Sequence, residues 1–556
     1  MVTAQLALAA PLLLAASADA FVMPGVVQDA FQVPELRQDL AAQVIAESGM
    51  MDIASWRPHM PYFLKPGVSS DRLQDRIRLE DLNSTAWDLY HLAEKSKKKY
   101  GHPTRVIGSP GHWATIDYIL QELDAMSDYY DVSLQEFEAV SGKVNSFELT
   151  DAKSGKKFAN TTAFSLSPPV KHFEGELVEI PNLGCNEADY KSLEVLHGGH
   201  KDKKSSSSSS SSGKRIALIT RGKCPFGTKS ELAGKYGFHA AVIYDNEEKN
   251  GDEPLRGTLG EPTKHAVSTI GVSYLTGAKL VAAVEKNKHY YVNFAMDSTV
   301  SKIKTKNIIA DTKHGDPENI VALGAHTDSV EEGPGINDDG SGTISLLTVA
   351  KELAHYKINN KVRFAWWSAE EEGLLGSNFY AYNLTKEENS KIRVFMDYDM
   401  MASPNYEYEI YDANNHDNPR GSEELKNLYI DFYKHNKLNY TLVPFDGRSD
   451  YVGFIENGIP AGGIAAGAEK NNVWNGKVLD KCYHQLCDNV SNLAFDAFLI
   501  NTKLIAHSVA TYANSFEGFP ERDNSTLAVN SAASTNDFYA EEQTPRFQYR
   551  ADFLLF

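Results

Sequence analysis

Between Asn307 and about Phe516 the chain alternates strand-length apolar runs with helical periodicity, and no other feature restricts its fold as tightly. The runs ENIVALGAH (318–326), KVRFAWWSA (361–369), IRVFMDYDM (392–400) and IPAGGIAAG (459–467) are largely apolar. Strands of that kind offer no wettable face, so both sides of their sheet must be covered. TISLLTVAKELAHY (343–356) and LLGSNFYAYN (374–383), interposed between the runs, have helical patterns and can supply the cover. The expectation is an α/β domain: a mixed, largely parallel sheet flanked by helices.

In such sheets, sites form beyond the carboxyl ends of the strands, where loops from neighbouring strands converge. His326 and Asp328 fall at the end of the first run, Glu370, Glu371 and Glu372 at the end of the second, and Asp399 near the end of the third. Two loops add candidates: GPGINDDGSG carries Asp338 and Asp339, and CYHQLCD carries His484 between Cys482 and Cys487. Taken singly, each has an ordinary explanation. Asp-Asp-Gly is a common turn, acidic residues favour a helix N-terminus, and a lone histidine usually sits at a surface. Taken together, two histidines and three carboxylates are what a pair of Zn²⁺ ions requires, because zinc accepts N and O ligands and one carboxylate can bridge two ions.

The region from about 140 to 293 has a different texture. Lys203-Lys204 leads into an unbroken serine run, Ser205 to Ser212, which buries nothing and is expected to be an exposed loop. RIALITRG then reads as a strand, KCPFGTKSELAGKYG as a turn and helix, and AAVIYDN as another strand. With Gly184-Cys185 and Asp189-Tyr190 upstream, this segment resembles a protease-associated domain, a smaller β-rich α/β module that sits on peptidases as a lid or recognition element. Ahead of it, the apolar set Leu73, Ile77, Leu82, Trp87, Tyr90 and Leu92 predicts an amphipathic helix, broken near Asn83-Ser84-Thr85.

The formal net charge of −19 argues against nucleic acid and acidic lipid surfaces as partners. The opening residues MVTAQLALAAPLLLAASADA have the form of a secretory signal (1–20), too short in its apolar run to span a bilayer, and no later run is long enough to be an anchor. Residues 21–70, broken by five prolines, read as a pro-segment. Four cysteines, Cys185, Cys224, Cys482 and Cys487, suit two disulfides in an oxidising compartment. Behind a signal, the sequons at Asn83, Asn160, Asn383, Asn439, Asn489 and Asn524 become glycosylation candidates. The protein is expected to enter the secretory pathway and be secreted or vacuolar.

GAHTDSVEEGPGINDDGSG, FAWWSAEEEGLLGSNFY, MDYDMMASPN, DGRSDYVGF and CYHQLCD resemble, in order, the motifs of the M28 zinc aminopeptidases, and RVIGSPGHWATIDYI resembles that family's opening helix. The arrangement, with its inserted protease-associated domain, is particularly similar to fungal vacuolar members. The resemblance implies the zinc exopeptidase fold and two Zn²⁺ per chain. His326 and Asp399 would hold one ion, Glu371 and His484 the other, and Asp338 would bridge them. Asp328 would orient His326, Glu370 would be the general base, Tyr483 would help hold the oxyanion, and Arg448 falls at a substrate-recognition position. Asp397 and Glu372 receive no role. Domain placement pairs Cys185 with Cys224 and Cys482 with Cys487. The implied organisation is a peptidase domain at 71–139 and 294–516, an insertion at 140–293, and a loosely ordered tail at 517–556.

The substrates implied are peptides with a free N-terminus; oligomeric state is left open. A carboxypeptidase or dipeptidase on the same scaffold would need a basic pocket for the substrate's carboxylate; Arg448 lies near the motifs, and no further arginine cluster stands there. Glutaminyl cyclisation usually uses a single zinc, and a non-catalytic ectodomain would have little reason to keep the full ligand set.

Overall fold

The computed structural model describes residues 60–196, 213–260 and 263–522. The signal segment 1–20, most of the pro-segment 21–70, the serine run 205–212, Asn524 and the tail from 523 lie outside the described residues. The chain divides into Met1–Pro66, where a single 3-10 turn at Tyr62–Leu64 is described, and Gly67–Phe556, which contains every element below.

The second unit opens with α1 (Ser70–Gln74), α2 (Leu79–Glu94), α3 (Lys97–Tyr100) and α4 (Pro110–Asp124). The insertion follows with β1 (Tyr130–Asp151), β2 (Thr161–Ala163), β3 (Val170–Glu179), α5 (Glu187–Leu196), β4 (Arg215–Thr220), α6 (Phe226–Lys235), β5 (Ala240–Tyr244), β6 (Ser268–Val272), α7 (Tyr274–Lys286) and β7 (Tyr291–Thr312). Next come β8 (Asp316–His326), α8 (Gly340–Leu353), β9 (Asn360–Trp367), α9 (Leu375–Tyr382), α10 (Lys386–Lys391) and β10 (Ile392–Tyr398). The chain continues with β11 (Glu409–Tyr411), α11 (Ser422–His435), β12 (Thr441–Val443), α12 (Val452–Glu456), β13 (Ala461–Ala465) and α13 (Phe495–Asn514).

One sheet runs through both halves in the order β12-β11-β13-β10-β8-β9-β7-β3-β4-β5-β6-β2, with β1 paired to β7. Strands β13, β10, β8 and β9 are mutually parallel and form the centre of the peptidase half. Strands β3 to β6 form a second parallel set. The long antiparallel ribbon of β1 and β7 joins the two, so the expected boundaries at 139/140 and 293/294 fall inside continuous strands.

The apolar runs explain the layering. All seven residues of β10 are buried, and β8 is buried from Ile320 to His326. On one face Trp367, Tyr380, Phe395 and Phe454 pack together, Phe395 and Phe454 stacking at 3.6 Å between centroids. Each such buried aromatic stabilises the fold by about 1.5–3 kcal/mol. On the other face α8 is buried from Gly340 through Ala350, because it lies between β8 and α13.

Two expectations change. The helix over 73–92 breaks at Asp75–Arg78, between α1 and α2, and runs unbroken through Asn83-Ser84-Thr85. Asn83 and Ser84 face solvent, Thr85 Oγ1 donates to the Asp81 carbonyl one turn back at 2.9 Å, and Leu82, Ala86, Leu89 and Ala93 form the buried stripe. The first tail residues are also held: Phe519 is buried against Tyr512 and Phe516, and Arg522 donates to Asn389 and to the Ile392 carbonyl.

Candidate metal centre

Strands β10, β8 and β9 lie side by side and end at one edge of the sheet. His326 is the last residue of β8, Glu370 and Glu371 follow β9, and Asp399 directly follows β10. Asp338 enters from the loop ahead of α8, and His484 from the loop closed by the Cys482–Cys487 disulfide. The sequence separations are large, yet these six residues form two clusters whose candidate ligand atoms lie within 4.8 Å of one another.

Asp338 stands between the histidines. Its Oδ1 is 3.3 Å from His326 Nε2 and its Oδ2 is 3.1 Å from His484 Nε2. Glu371 Oε2 lies 3.2 Å from His484 Nε2, while Glu371 Oε1 accepts the Val330 N–H at 3.0 Å. Asp399 Oδ1 and Glu370 Oε2 are each 3.7 Å from His326 Nε2. Ligand atoms about 2 Å from one tetrahedral ion are ~3.3 Å apart, so these separations suit zinc coordination. His326 Nε2 and Asp399 Oδ1 are buried without hydrogen-bond partners, as groups aimed at a cation would be. Burial alone lowers the pKa of His326, but Glu370, Asp328, Asp338 and Asp399 outweigh it and hold the imidazole well above its ordinary range. Burial, together with Asp450, Glu371 and Asp399, pushes Glu370 well above the usual carboxylate range. So many carboxylates in one desolvated space repel each other, and bound cations relieve the repulsion.

Asp328 is 3.8 Å from His326 Nδ1, beyond hydrogen-bond distance, and its two oxygens accept the Glu370 and Glu371 N–H groups at 3.3 Å each. It therefore fixes the glutamate turn directly and faces His326 as a charge. The Tyr483 ring stacks on His484 at 3.8 Å. Arg448 donates to Asp446 at 3.1 Å and to Glu469 at 2.8 Å at the wall of the cleft over the site. Met400, Tyr411, Val443 and Pro444 give that cleft apolar wall, and Glu409 adds a carboxylate that burial pushes up to about 7. Ala369, Met400 and His484 all adopt positive φ, at 62°, 56° and 57°. Left-handed backbone in non-glycine residues costs roughly 1–3 kcal/mol each and concentrates at functional sites.

Further buried polar residues support the site; sequence reading named Asp339 as a candidate and Asp397 without a role, and did not single out the others. Asp339 caps α8 and accepts the N–H groups of His326, Gly342 and Met400 at 2.9–3.1 Å. Asp488 accepts the Asn337 and Asp338 N–H groups at 2.9 and 3.1 Å. The fully buried Arg105 guanidinium donates to the carbonyls of Thr327, Pro334 and Gly335, clamping the segment between His326 and Asp338. His112, whose pKa burial lowers to about 4, places Nε2 3.0 Å from Thr327 Oγ1. Both lie in RVIGSPGHWATIDYI, and the available signal was that segment's resemblance to the family's opening helix. Asp397 and Asp450 are buried beside Asp399, and burial raises both carboxyls, Asp450 to about 7.

The structure pairs Cys185 with Cys224 and Cys482 with Cys487. Of the sequons, Asn83, Asn383 and Asn439 are exposed and Asn160 and Asn489 half-buried. Among the described residues no helix is long and apolar enough to cross a membrane.

The model of Peptidase family M28 matches residues 307–509, the stretch that supplies all six clustered residues, and the PA domain model matches 173–280. The chain is 67% identical over 544 residues to Aminopeptidase Y of Saccharomyces cerevisiae, covering 96% of each. The chain belongs to peptidase family M28. It is an enzyme, a metallopeptidase of that family with an inserted protease-associated domain. It is also 39% identical to Leucine aminopeptidase 2 of Trichophyton equinum, over 82% of this chain and 89% of that one. Among solved structures, the aminopeptidase from Aneurinibacillus sp. strain AM-1 shares the fold at a TM-score of 0.63 and 24% identity, covering 80% of this chain and 96% of that one. The Bacillus subtilis zinc aminopeptidase BSAP gives 0.52 at 22% identity, covering 79% and 96%.

Proposed function

We propose that this M28 peptidase is a zinc aminopeptidase that hydrolyses the first peptide bond of peptides and proteins at a two-zinc centre. The observation that carries the reading is Asp338, whose two oxygens face the two histidines from opposite sides. His326 and Asp399 would hold one Zn²⁺, Glu371 and His484 the other, and Asp338 both. When bound, such a pair polarises the scissile carbonyl and makes water a stronger acid.

The chain's own residues supply the rest. Glu370, held over the site by a turn whose N–H groups are tied to Asp328, takes the proton from the attacking water and passes it to the leaving amine. The Tyr483 hydroxyl, kept protonated by burial and by nearby Asp338 and Glu371, donates to the oxyanion. The substrate's α-ammonium settles among Glu370 and Asp399, which limits cleavage to the amino end. Arg448, anchored by Asp446 and Glu469, contacts substrate from the cleft wall. Two disulfides and an enzyme of this family fit passage through the secretory pathway, ending in the vacuole or outside the cell.

A free peptide and its N-acetylated twin test the direction of attack. The free peptide is expected to be trimmed stepwise from its amino end and the blocked one to be inert, with zinc near two per chain. Release of C-terminal residues from the blocked peptide removes the aminopeptidase reading, and one zinc per fully active chain removes the two-zinc reading.

A further inference from the structure

The turn that carries Glu370 and Glu371 opens at Ser368, just after β9, and closes at Gly376, inside the first turn of α9. It contains Ala369 in left-handed backbone (φ 62°), a conformation that a non-glycine residue keeps only when its surroundings hold it there. Within the turn, Gly373 and Leu374 donate to the Glu370 carbonyl and Leu375 to the Ala369 carbonyl, and Asp328 takes the Glu370 and Glu371 N–H groups. The Leu375–Ala369 bond closes the turn one residue inside its ends, but none of these bonds reaches the end residues themselves, Ser368 and Gly376.

One side chain does. Asn307, fully buried on β7, accepts the Ser368 N–H on Oδ1 at 3.1 Å and donates from Nδ2 to the Gly376 carbonyl at 2.8 Å. The same Nδ2 donates to Gln135 Oε1, on the paired strand β1, at 2.9 Å. A primary amide has two donor hydrogens and one acceptor oxygen, and here all three functions are engaged. A second observation is independent of those bonds. A Cβ on Gly376 would lie 2.4 Å from Asn307 Oδ1 and 2.3 Å from the Ser368 carbonyl oxygen, so the two ends of the turn approach more closely than any other residue at 376 permits. Ser368 Oγ adds a bond to the Lys306 carbonyl at 2.8 Å, and behind Ala369 the ribbon residues Phe137 and Ala139 close an apolar patch with Ile107.

We propose that Asn307 is a positioning residue for catalysis: it staples the entry and exit of the glutamate turn and anchors both to the ribbon that enters the inserted domain. Its effect passes through the placement of Glu370, so the inference rests on the assignment of Glu370 as base. The geometry also makes the foot of the ribbon part of the peptidase machinery.

The test compares purified full-length Asn307→Ser, Gly376→Ala and Gln135→Met by kcat, KM, zinc content and Tm, with Glu370→Gln alongside. Asn307→Ser and Gly376→Ala release the same staple from opposite sides. Displacing a reacting group by about 1 Å can cost ~10²-fold, so each is expected to lower kcat at least about tenfold, at full zinc content and with KM within about threefold of wild type. Gln135→Met, half-buried on the ribbon, keeps the fold and removes only the third bond. It is expected to lower kcat by about fivefold, the kinetic equivalent of one ordinary hydrogen bond. A purely structural role moves Tm and leaves kcat unchanged well below Tm. The proposal is overturned if the variants that fold, Gln135→Met included, keep wild-type kcat, or if their loss tracks missing zinc or a raised KM alone. Glu370→Gln separates the two questions: full activity in it discards the base assignment, whatever the staple variants do.

Discussion

Glu370 Oε2 and Asp399 Oδ1 stand at the same 3.7 Å from His326 Nε2, so distance does not say which of them ligates, and neighbouring Glu370 and Glu371 must be told apart by chemistry. The isosteric Gln variants do this. Glu371 uses both oxygens, Oε1 for the Val330 N–H at 3.0 Å and Oε2 beside His484 Nε2 at 3.2 Å. An amide at 371 has one oxygen for these two tasks. If that oxygen accepts from Val330, the amide NH₂ faces the metal and cannot ligate; if it turns to the metal, the NH₂ meets the Val330 N–H, donor against donor. The lost contact is worth about 1–3 kcal/mol before the loss of ligand charge is added. Zinc affinity at that position should therefore fall at least ~10–100-fold, the range seen even for supporting residues of metal sites, and excess zinc should restore part of the activity.

Glu370→Gln is expected to keep both zinc ions but cannot take a proton from water, so kcat should drop ~10²–10⁴-fold. Hydrolysis of residue-arylamides, with zinc measured on the same samples, reads both outcomes. KM is a poor discriminator, because Glu370 is also a proposed contact for the substrate's α-ammonium. If Glu370→Gln sheds zinc while Glu371→Gln retains two, the roles are reversed and the reasoning fails.

The Cys482–Cys487 bridge spans five positions, and closing so short a loop contributes only about 2 kcal/mol through the unfolded chain. The double Ser variant is accordingly expected to show a modest fall in Tm but a large fall in kcat or zinc affinity, since His484 and Tyr483 lose their frame; unchanged kcat at full zinc content would count against that role. Burial, opposed by Lys470, pushes Glu409 in the cleft wall up to about 7, so it gains its charge as pH rises through neutrality. The ratio of Lys-arylamide to Leu-arylamide hydrolysis should climb across that pH range in the wild type and stay flat in Glu409→Gln; a flat wild-type ratio, once lysine's own titration is allowed for, removes Glu409 from substrate selection.

Much of this enzyme was legible in its sequence. The apolar runs named β8, β9, β10 and β13 because a strand buried on both faces has no polar side to show, and that property is local. The candidate ligands were legible because each follows a strand or sits in a loop marked by glycines or paired cysteines, and strand ends in such a sheet must converge. The failures share one cause. Asn83-Ser84-Thr85 looked like a helix break because local polarity does not say which face of a helix meets water, and α2 simply turns those residues outward. Nothing in local polarity separates Arg105, His112 and Asn307 from exposed residues of the same kind. A buried polar group is decided by the partner brought to it, and for Asn307 those partners are 172, 61 and 69 positions away along the chain. Periodicity records what a segment must hide; only the assembled structure determines which hidden polar atoms meet.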